Sequence, residues 1–450
     1  MTATFAELGA SETRGDAPVV VVSGDTHIGP RLVEDLRPYC PKEYLDEFDR
    51  FAAEKDTLVG LGNEKMFGGA RERNGALHPG APDMINQLVK NSQTTGHYDM
   101  HQRLRDYDAD GVAAAVILHG SQNGEPIPFR TSPFESAEVG DDPRLSAVGY
   151  HIYNAWLADQ ITIQPERHVA LAYVPLWDID AAVKEMTWAR EHGLKAVNFP
   201  APISGIPEYN RPIWEPFWAA AEDLDMPLIG HGGQDGTWRY TGVEGPAVQM
   251  IEGGGWMARR HLHWLAYGGV FYRHPRLKVV ITEISGDWWE QQMLEMDSVY
   301  KGPAAYSLRQ RVPELPSESC RRSVFGAWWL CPHETRHAVE GGFSGNLIWG
   351  SDYPHLEGTW RWPEPGDTEP QTHLHQRFAF GGLPERDVLM MAGENAVRAY
   401  GLDMAALQTV AARINTQTLD QIRTPLSGDE IPADKNDDMP YPFRKNWSWS

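Results

Sequence analysis

Cysteine is scarce: three in 450 residues, Cys40, Cys320 and Cys331, with no C-x-x-C spacing. That argues against a thiolate metal cage or a disulfide scaffold, and it points to reduced thiols in a cytoplasmic protein. Long hydrophobic runs are missing as well. No stretch approaches the roughly 20 apolar residues of a membrane helix, and the opening MTATFAELGASETRGDAP has no secretory-type apolar segment. Positive charge is short. Forty Lys and Arg stand against 62 Asp and Glu, a formal charge of -22 with no basic stripe, so neither nucleic acid nor an anionic membrane is an expected partner. Phosphate loops and nucleophile elbows are absent too. Gly60-Leu61-Gly62 and Gly253-Gly254-Gly255 follow no strand at the required spacing, and neither G-K-[ST] nor G-x-S-x-G occurs.

What is present is length for one large α/β barrel or two to three ordinary domains, an apolar fraction of 41% that is ample for a buried core, and 17 tryptophans. The pattern along the chain is rhythmic. Apolar runs at 19–22, 112–118, 169–175, 194–199, 227–231, 277–283, 323–330 and 346–351 read as strands. Helical stretches lie between them at 97–109, 143–164, 178–192, 211–224, 244–273, 286–300 and 333–340, and a helix at 384–400 closes the series. Near-continuous apolar strands alternating with helices predict a parallel sheet buried on both faces. Eight such units predict a single (β/α)8 TIM barrel, whose strand C-terminal ends share one rim. A doubly wound sheet is the competitor, but the first turn, Gly-Asp-Thr-His-Ile-Gly, lacks its glycine fingerprint. The expected division is an N-terminal extension 1–18, the barrel 19–402 with a long insertion at about 30–96, and a C-terminal helix with extended tail 403–450. The aromatic-ended tail is read either as a disordered terminus or as an arm onto a second subunit.

Polar residues gather at the predicted strand ends: Asp25 and His27, His119, Asn198, His231, Glu283, and Asp352 followed by His355. A barrel core calls for apolar residues, so polar groups concentrated at one rim need a cause. Asp25 and His27, one residue apart on a strand, are expected to point the same way. Each of these groups alone has a plain explanation, an Asx turn for Asp352 or a histidine on a backbone carbonyl for His231. Four together are better explained as metal ligands: Asp25, His27, His231 and Asp352. Two imidazoles and two carboxylates suit one divalent metal, zinc first, with manganese, iron or cobalt as alternatives, and no organic cofactor is implied. Asp352, Glu283 and His355 are the candidate catalytic residues. His119, Trp177, Asn198 and Trp288 are the candidate substrate-binding residues, the tryptophans suggesting an aromatic or large apolar ligand.

These residues carry a resemblance. Asp25-x-His27, ALAYVPLWD at 170–178, GGVFYRHPRLKVVITE at 268–283, WGSDYPH at 349–355 and the closing ENAVRAYGL resemble the amidohydrolase superfamily. Within it the likeness is to the amidohydrolase-2 group, which includes aminocarboxymuconate-semialdehyde decarboxylase and the resorcylate-type decarboxylases. The resemblance assigns the metal to the same four residues. Lys195 lies at the start of its strand, so the carboxylated lysine of binuclear relatives has no counterpart, and a single metal is expected. At the end of strand six many relatives carry histidine where this chain has Glu283.

Two reaction classes fit this site. The leading expectation is a hydrolase acting on a small aromatic or unsaturated substrate through a metal-activated water, with Asp352 and Glu283 moving protons. The alternative is a non-oxidative decarboxylase of an aromatic or muconate-type acid. A non-catalytic binding barrel is the remote third, and a glycosidase is disfavoured because histidines separate the carboxylates. Partners are expected to be a small-molecule substrate and further copies of the chain, as a homodimer or larger homo-oligomer.

Overall fold

The computed structural model describes residues 15–55, 82–130, 142–202, 205–232, 245, 248, 251–284, 287–427 and 430, without the side chains of 82–86 and 253–254. Its strands are β1 (Val22–Ser23), β2 (His27–Ile28), β3 (Ala114–His119), β4 (His168–Ala172) and β5 (Ala196–Asn198). They continue with β6 (Leu228–His231), β7 (Val279–Thr282), β8 (Val324–Trp328) and β9 (Leu347–Trp349). All pair in parallel, in the order β1-β3-β4-β5-β6-β7-β8-β9, and β2 also pairs with β3. β1 and β2 are therefore two halves of one stave, which makes eight staves in all. Hydrogen bonds between the first and last staves close the ring: Gly24 N–H to Trp349 O at 2.8 Å, Asp352 N–H to Asp25 O at 2.9 Å, and His27 N–H to Tyr353 O at 2.6 Å. The predicted (β/α)8 barrel is what the chain forms.

Strand alternation sorts the side chains into two cores. Val20, Val22, Ala114, Val116, Leu118, Val169, Leu171, Ala196, Ile229, Val280, Phe325, Ala327 and Ile348 fill the barrel. Their neighbours of opposite parity, such as Val21, Ile117, Ala170, Val197, Leu228, Ile281 and Leu347, pack outward with the helices. The helices Asn395–Tyr400 and Met404–Ile414 add Ala396, Ala399, Tyr400, Leu407 and Val410 to the inner cluster at the strand starts, plugging one end. The opposite rim is left for polar groups.

Two expectations need correction in detail. The first stave is not one strand. It breaks across Gly24–Thr26, and Asp25 lies in the break rather than beside His27 on a ladder. The long helical region expected at 244–273 is helical where described but divided: a π turn at Glu252–Trp256 and a 3-10 turn precede the helices Arg260–Tyr267 and Val270–Arg273. Parts of the expected insertion (56–81) and of the tail (431–450) lie outside the described residues. Among the described residues, no helix is long and apolar enough to cross a membrane.

Candidate metal centre

The closing seam brings the two ends of the chain's motif set together. Ser351 N–H donates to Ser23 Oγ at 2.8 Å, and the two hydroxyls lie 3.0 Å apart, clipping the last stave to the first. Just above this clip, Asp25 and Asp352 flank His27. Its Nε2 is 3.4 Å from Asp25 Oδ1 and 3.3 Å from Asp352 Oδ1. His231 has the inward parity of Ile229, and its Nε2 reaches His27 Nε2 at 3.3 Å and Asp25 Oδ1 at 3.9 Å. The break at Gly24–Thr26 is what turns Asp25 toward His27. Buried Arg103 holds it from behind, donating to His27 O at 2.6 Å and to Thr26 Oγ1 at 2.7 Å. Gly24 permits the close packing, since a Cβ there would stand 2.7 Å from Ile348 Cγ2 and 2.8 Å from Ala327 Cβ.

Each imidazole has one nitrogen fixed by a carbonyl, which can only accept. His27 Nδ1 lies 3.0 Å from His119 O, His231 Nδ1 2.7 Å from Gly232 O, and His355 Nε2 2.7 Å from Gly120 O. The other nitrogen of each then turns a lone pair toward the carboxylates, the arrangement of metal-ligating histidines. Both oxygens of Asp25 and of Asp352 are buried, and no hydrogen bond of good geometry reaches them. Buried carboxylates without donors are costly unless a cation compensates them. Asp25, His27 and His231 offer ligand atoms within 4.8 Å of one another, as do His27, Asp352 and His355. The donor set fits a divalent ion.

The electrostatics agree. Burial alone would lower the His27 imidazole, but Asp25 and Asp352 hold it well above its usual range, so the site attracts positive charge. Burial, with His27 beside it, lowers His231 against the opposing pull of Asp25. Against the cost of its burial, His355 and His27 hold the Asp352 carboxyl below its ordinary range. Burial and the neighbouring Asp352 and Glu357 hold Glu283 well above the carboxylate range. Asp352 and Glu283 both occupy the left-handed backbone region, φ 55° and 54°, where non-glycine residues are strained. Such outliers concentrate at functional sites.

The remaining expected residues fall in different places. Glu283 Oε2 is 3.1 Å from His231 Nε2, with about 20% of its side chain exposed. His355 is buried, stacks on His27 with ring centroids 3.9 Å apart, and meets Asp352 Oδ1 at 3.0 Å. His119 supplies its carbonyl to His27, while its ring sits edge-on to Tyr153 and Tyr173. Asn198 ends β5, buried, with the inward parity of Ala196. Trp177 is half-buried against Tyr150. Trp288 is buried among Trp289 and Trp328 and donates to Ile284 O at 3.2 Å, so it is packed as core beneath the rim. Arg321 and Arg322 close a helix end, with Arg322 paired to Glu314.

Sequence reasoning missed Glu357, whose Oε1 is 3.7 Å from His355 Nδ1, and Gln122, whose amide donates to both Glu357 oxygens at 3.0 Å. The signal for Glu357 was its place two residues beyond His355. Nothing in the sequence distinguished Arg103 from its neighbour Arg105.

A family model described as amidohydrolase matches residues 99–402. Gamma-resorcylate decarboxylase from Rhizobium sp. (strain MTP-10005) is 25% identical over 332 residues, 67% of this chain and 87% of that protein. Among solved structures, 5-carboxyvanillate decarboxylase from Novosphingobium aromaticivorans, complexed with manganese and 4-hydroxy-3-methoxy-5-nitrobenzoic acid, aligns with a TM-score of 0.57. It is 14% identical, over 87% of this chain and 98% of that one. Dihydroxybenzoic acid decarboxylase from Polaromonas sp., with bound manganese and 2-nitroresorcinol, aligns with a TM-score of 0.53 at 14% identity, over 86% and 99%.

Proposed function

The chain belongs to the amidohydrolase family, a family of metal-dependent enzymes, and from that membership we propose that it is a carboxy-lyase removing carboxylate from a hydroxylated aromatic acid without a redox cofactor. The observation that carries the reading is the meeting of Asp25, His27, His231 and Asp352 at one rim, with both aspartate carboxylates lacking donors. The choice of carboxy-lyase over hydrolase rests on the similarity to a resorcylate decarboxylase across 87% of its length. It reverses the order expected from the residues alone.

Asp25, His27, His231 and Asp352 would hold the cation. Manganese is proposed ahead of zinc for this imidazole and carboxylate set without thiolate, a choice supported by two solved structures of the same fold that carry manganese. When bound, the ion supplies Lewis acidity toward the substrate's carboxylate and phenolic oxygens. Glu283, at the edge of the site and partly open to it, is the acid. As the bond from ring to carboxylate breaks, its electron pair stays with the ring, the Glu283 proton goes to the vacated carbon, and carbon dioxide leaves. Glu283 regains its proton from water. Asn198, on the same rim, orients the substrate, and Trp177 borders it.

Hydrolysis is the second reading, favoured by glutamate rather than histidine after the sixth stave. The test is incubation of the manganese-loaded protein with 2,6-dihydroxybenzoate and 5-carboxyvanillate in D2O, alongside aryl esters and lactones. Carbon dioxide release with deuterium at the vacated ring position, abolished by chelator, is the expected result. Turnover confined to esters or lactones would transfer the assignment to hydrolysis.

A further inference from the structure

Arg103 is fully buried, and among the described residues its hydrogen-bond partners are all neutral. It lies on the helix Met100–Ala109 and donates to His27 O at 2.6 Å, Thr26 Oγ1 at 2.7 Å and Gly96 O at 3.3 Å. Thr26 spends its own hydrogen on Val116 O, so it can only accept from Arg103 and from Tyr107 OH, 3.0 Å away. A buried charge without a counter-charge is costly, and an apolar side chain would fill the space without that cost. The place of this guanidinium behind two donorless carboxylates therefore needs a cause.

The other half of the centre is tied to the same helix. Arg103 Cζ stands 5.1 Å from the ring centroid of Tyr107 and 4.9 Å from that of Tyr353, the residue after Asp352. Tyr353 OH donates to Asp106 Oδ2 at 2.6 Å. Thr94 Oγ1 donates to the same oxygen at 2.6 Å, and Gln102 Nε2 supplies Oδ1 at 2.7 Å. Positions 103, 106 and 107 share one helix face. Gly96 makes room for the contact: a Cβ there would collide with Tyr353 OH and stand 2.9 Å from Asp106 Oδ2. One face of one helix thus grips Thr26 and His27 through Arg103, and Tyr353 through Asp106.

We propose that Arg103 and Asp106 are positioning residues that set the two halves of the metal centre as a unit, Arg103 through Thr26 and His27, and Asp106 through Tyr353. The guanidinium over the Tyr353 ring strengthens that ring's hydroxyl as a donor to Asp106, so each grip reinforces the other. The inference rests on the metal-centre reading above and holds for decarboxylation and hydrolysis alike.

Manganese titration and electron paramagnetic resonance of the bound ion test it, on Arg103→Lys, Tyr353→Phe and the two combined. Lysine keeps the charge but loses the fork that reaches His27 O and Thr26 together. Phenylalanine keeps the ring and loses only the bond to Asp106. Each change is expected to weaken manganese binding about 10–100-fold and to alter the spectrum of the ion. The two combined should weaken it by clearly less than the product of the single losses, because both loosen one network. Affinity and spectrum equal to the parent's, with only the melting temperature in chelator lowered, would make these residues supports of the fold and overturn the proposal. Losses that multiply in full would overturn it too, since the halves would then be set separately. If Arg103→Lys fails to fold, Tyr353→Phe decides alone, an unchanged affinity and spectrum counting against the proposal. A parent chain that binds no manganese would overturn the metal centre itself along with it.

Discussion

A histidine becomes a dependable ligand only when its other nitrogen is held, and here backbone carbonyls do the holding. Two of the three come from adjacent residues, His119 and Gly120, where β3 ends. Gly120 has φ 99°, a conformation that side chains avoid, yet the nearest atom to an added Cβ is His27 Nδ1 at 3.9 Å. The space is open and the backbone is the constraint. Gly120→Ala should therefore cost about 1 kcal/mol in stability and weaken metal binding by roughly 10–100-fold, because two carbonyls move. Unchanged affinity by metal titration would mean that the carbonyls do not orient the rings. Glu283→Gln removes the proposed acid while keeping its shape, so decarboxylation kcat should fall roughly 10²–10⁴-fold, whereas the ion at Asp25, His27, His231 and Asp352 stays. A third residue acts on stability alone. Asp110 is buried at the end of the helix Met100–Ala109, where burial pushes its carboxyl up to about 7 despite a hydrogen bond from Thr372. A folded value above the unfolded one means the proton stabilises the fold: the contribution is complete below about pH 4 and is lost as pH rises through 7. Asp110→Asn should match the parent at pH 4 and exceed it at pH 8 by at most about 4 kcal/mol, read from melting curves at both values.

The eight staves were legible because each is a short apolar run, and the rim was legible because polar residues end those runs. The seam was not. Nothing in VVVVSGDTHIG announces that the first stave breaks at Gly24–Thr26, because that break is fixed by tertiary contacts: Arg103 on Thr26 and His27 O, and Ser23 on Ser351. Asp25 and His27 still converge, but through the break rather than by alternation along a ladder. Glu357 was missed for a related reason. It lies in a loop without periodicity, and only the fold brings it to His355. The tryptophans show the opposite error: Trp288 is near the rim in sequence, yet it packs inward with Trp289 and Trp328. Since the seam carries Asp25, His27 and Asp352 at once, loosening it should affect all three. Ser23→Ala removes the acceptor of the Ser351 N–H, at a cost of about 1–3 kcal/mol for the orphaned buried donor. Manganese affinity should fall with it. Stability lost with affinity kept would show that the clip serves the barrel and not the centre.

At the scale of the whole molecule, a chain of charge -22 places four of its carboxylates at one rim, two of them buried without donors. The arrangement opposes folding unless a cation is bound, because a buried unpaired carboxylate is more costly than the ion pair it replaces. Metal should therefore be a folding ligand as well as a catalytic one. With free manganese at about a thousand times its dissociation constant, binding adds roughly 4 kcal/mol, so stripping the chain with a chelator should lower its melting temperature by several degrees. The chelated chain supplies the sharper comparison. Asp25→Asn cannot be stabilised by the metal in the same way, yet it removes one uncompensated buried charge. Its melting temperature in chelator should equal or exceed that of the chelated parent, while in manganese it should fall below it. That crossing separates a carboxylate retained for the ion from one retained for packing, since a packing role would leave Asp25→Asn less stable under both conditions.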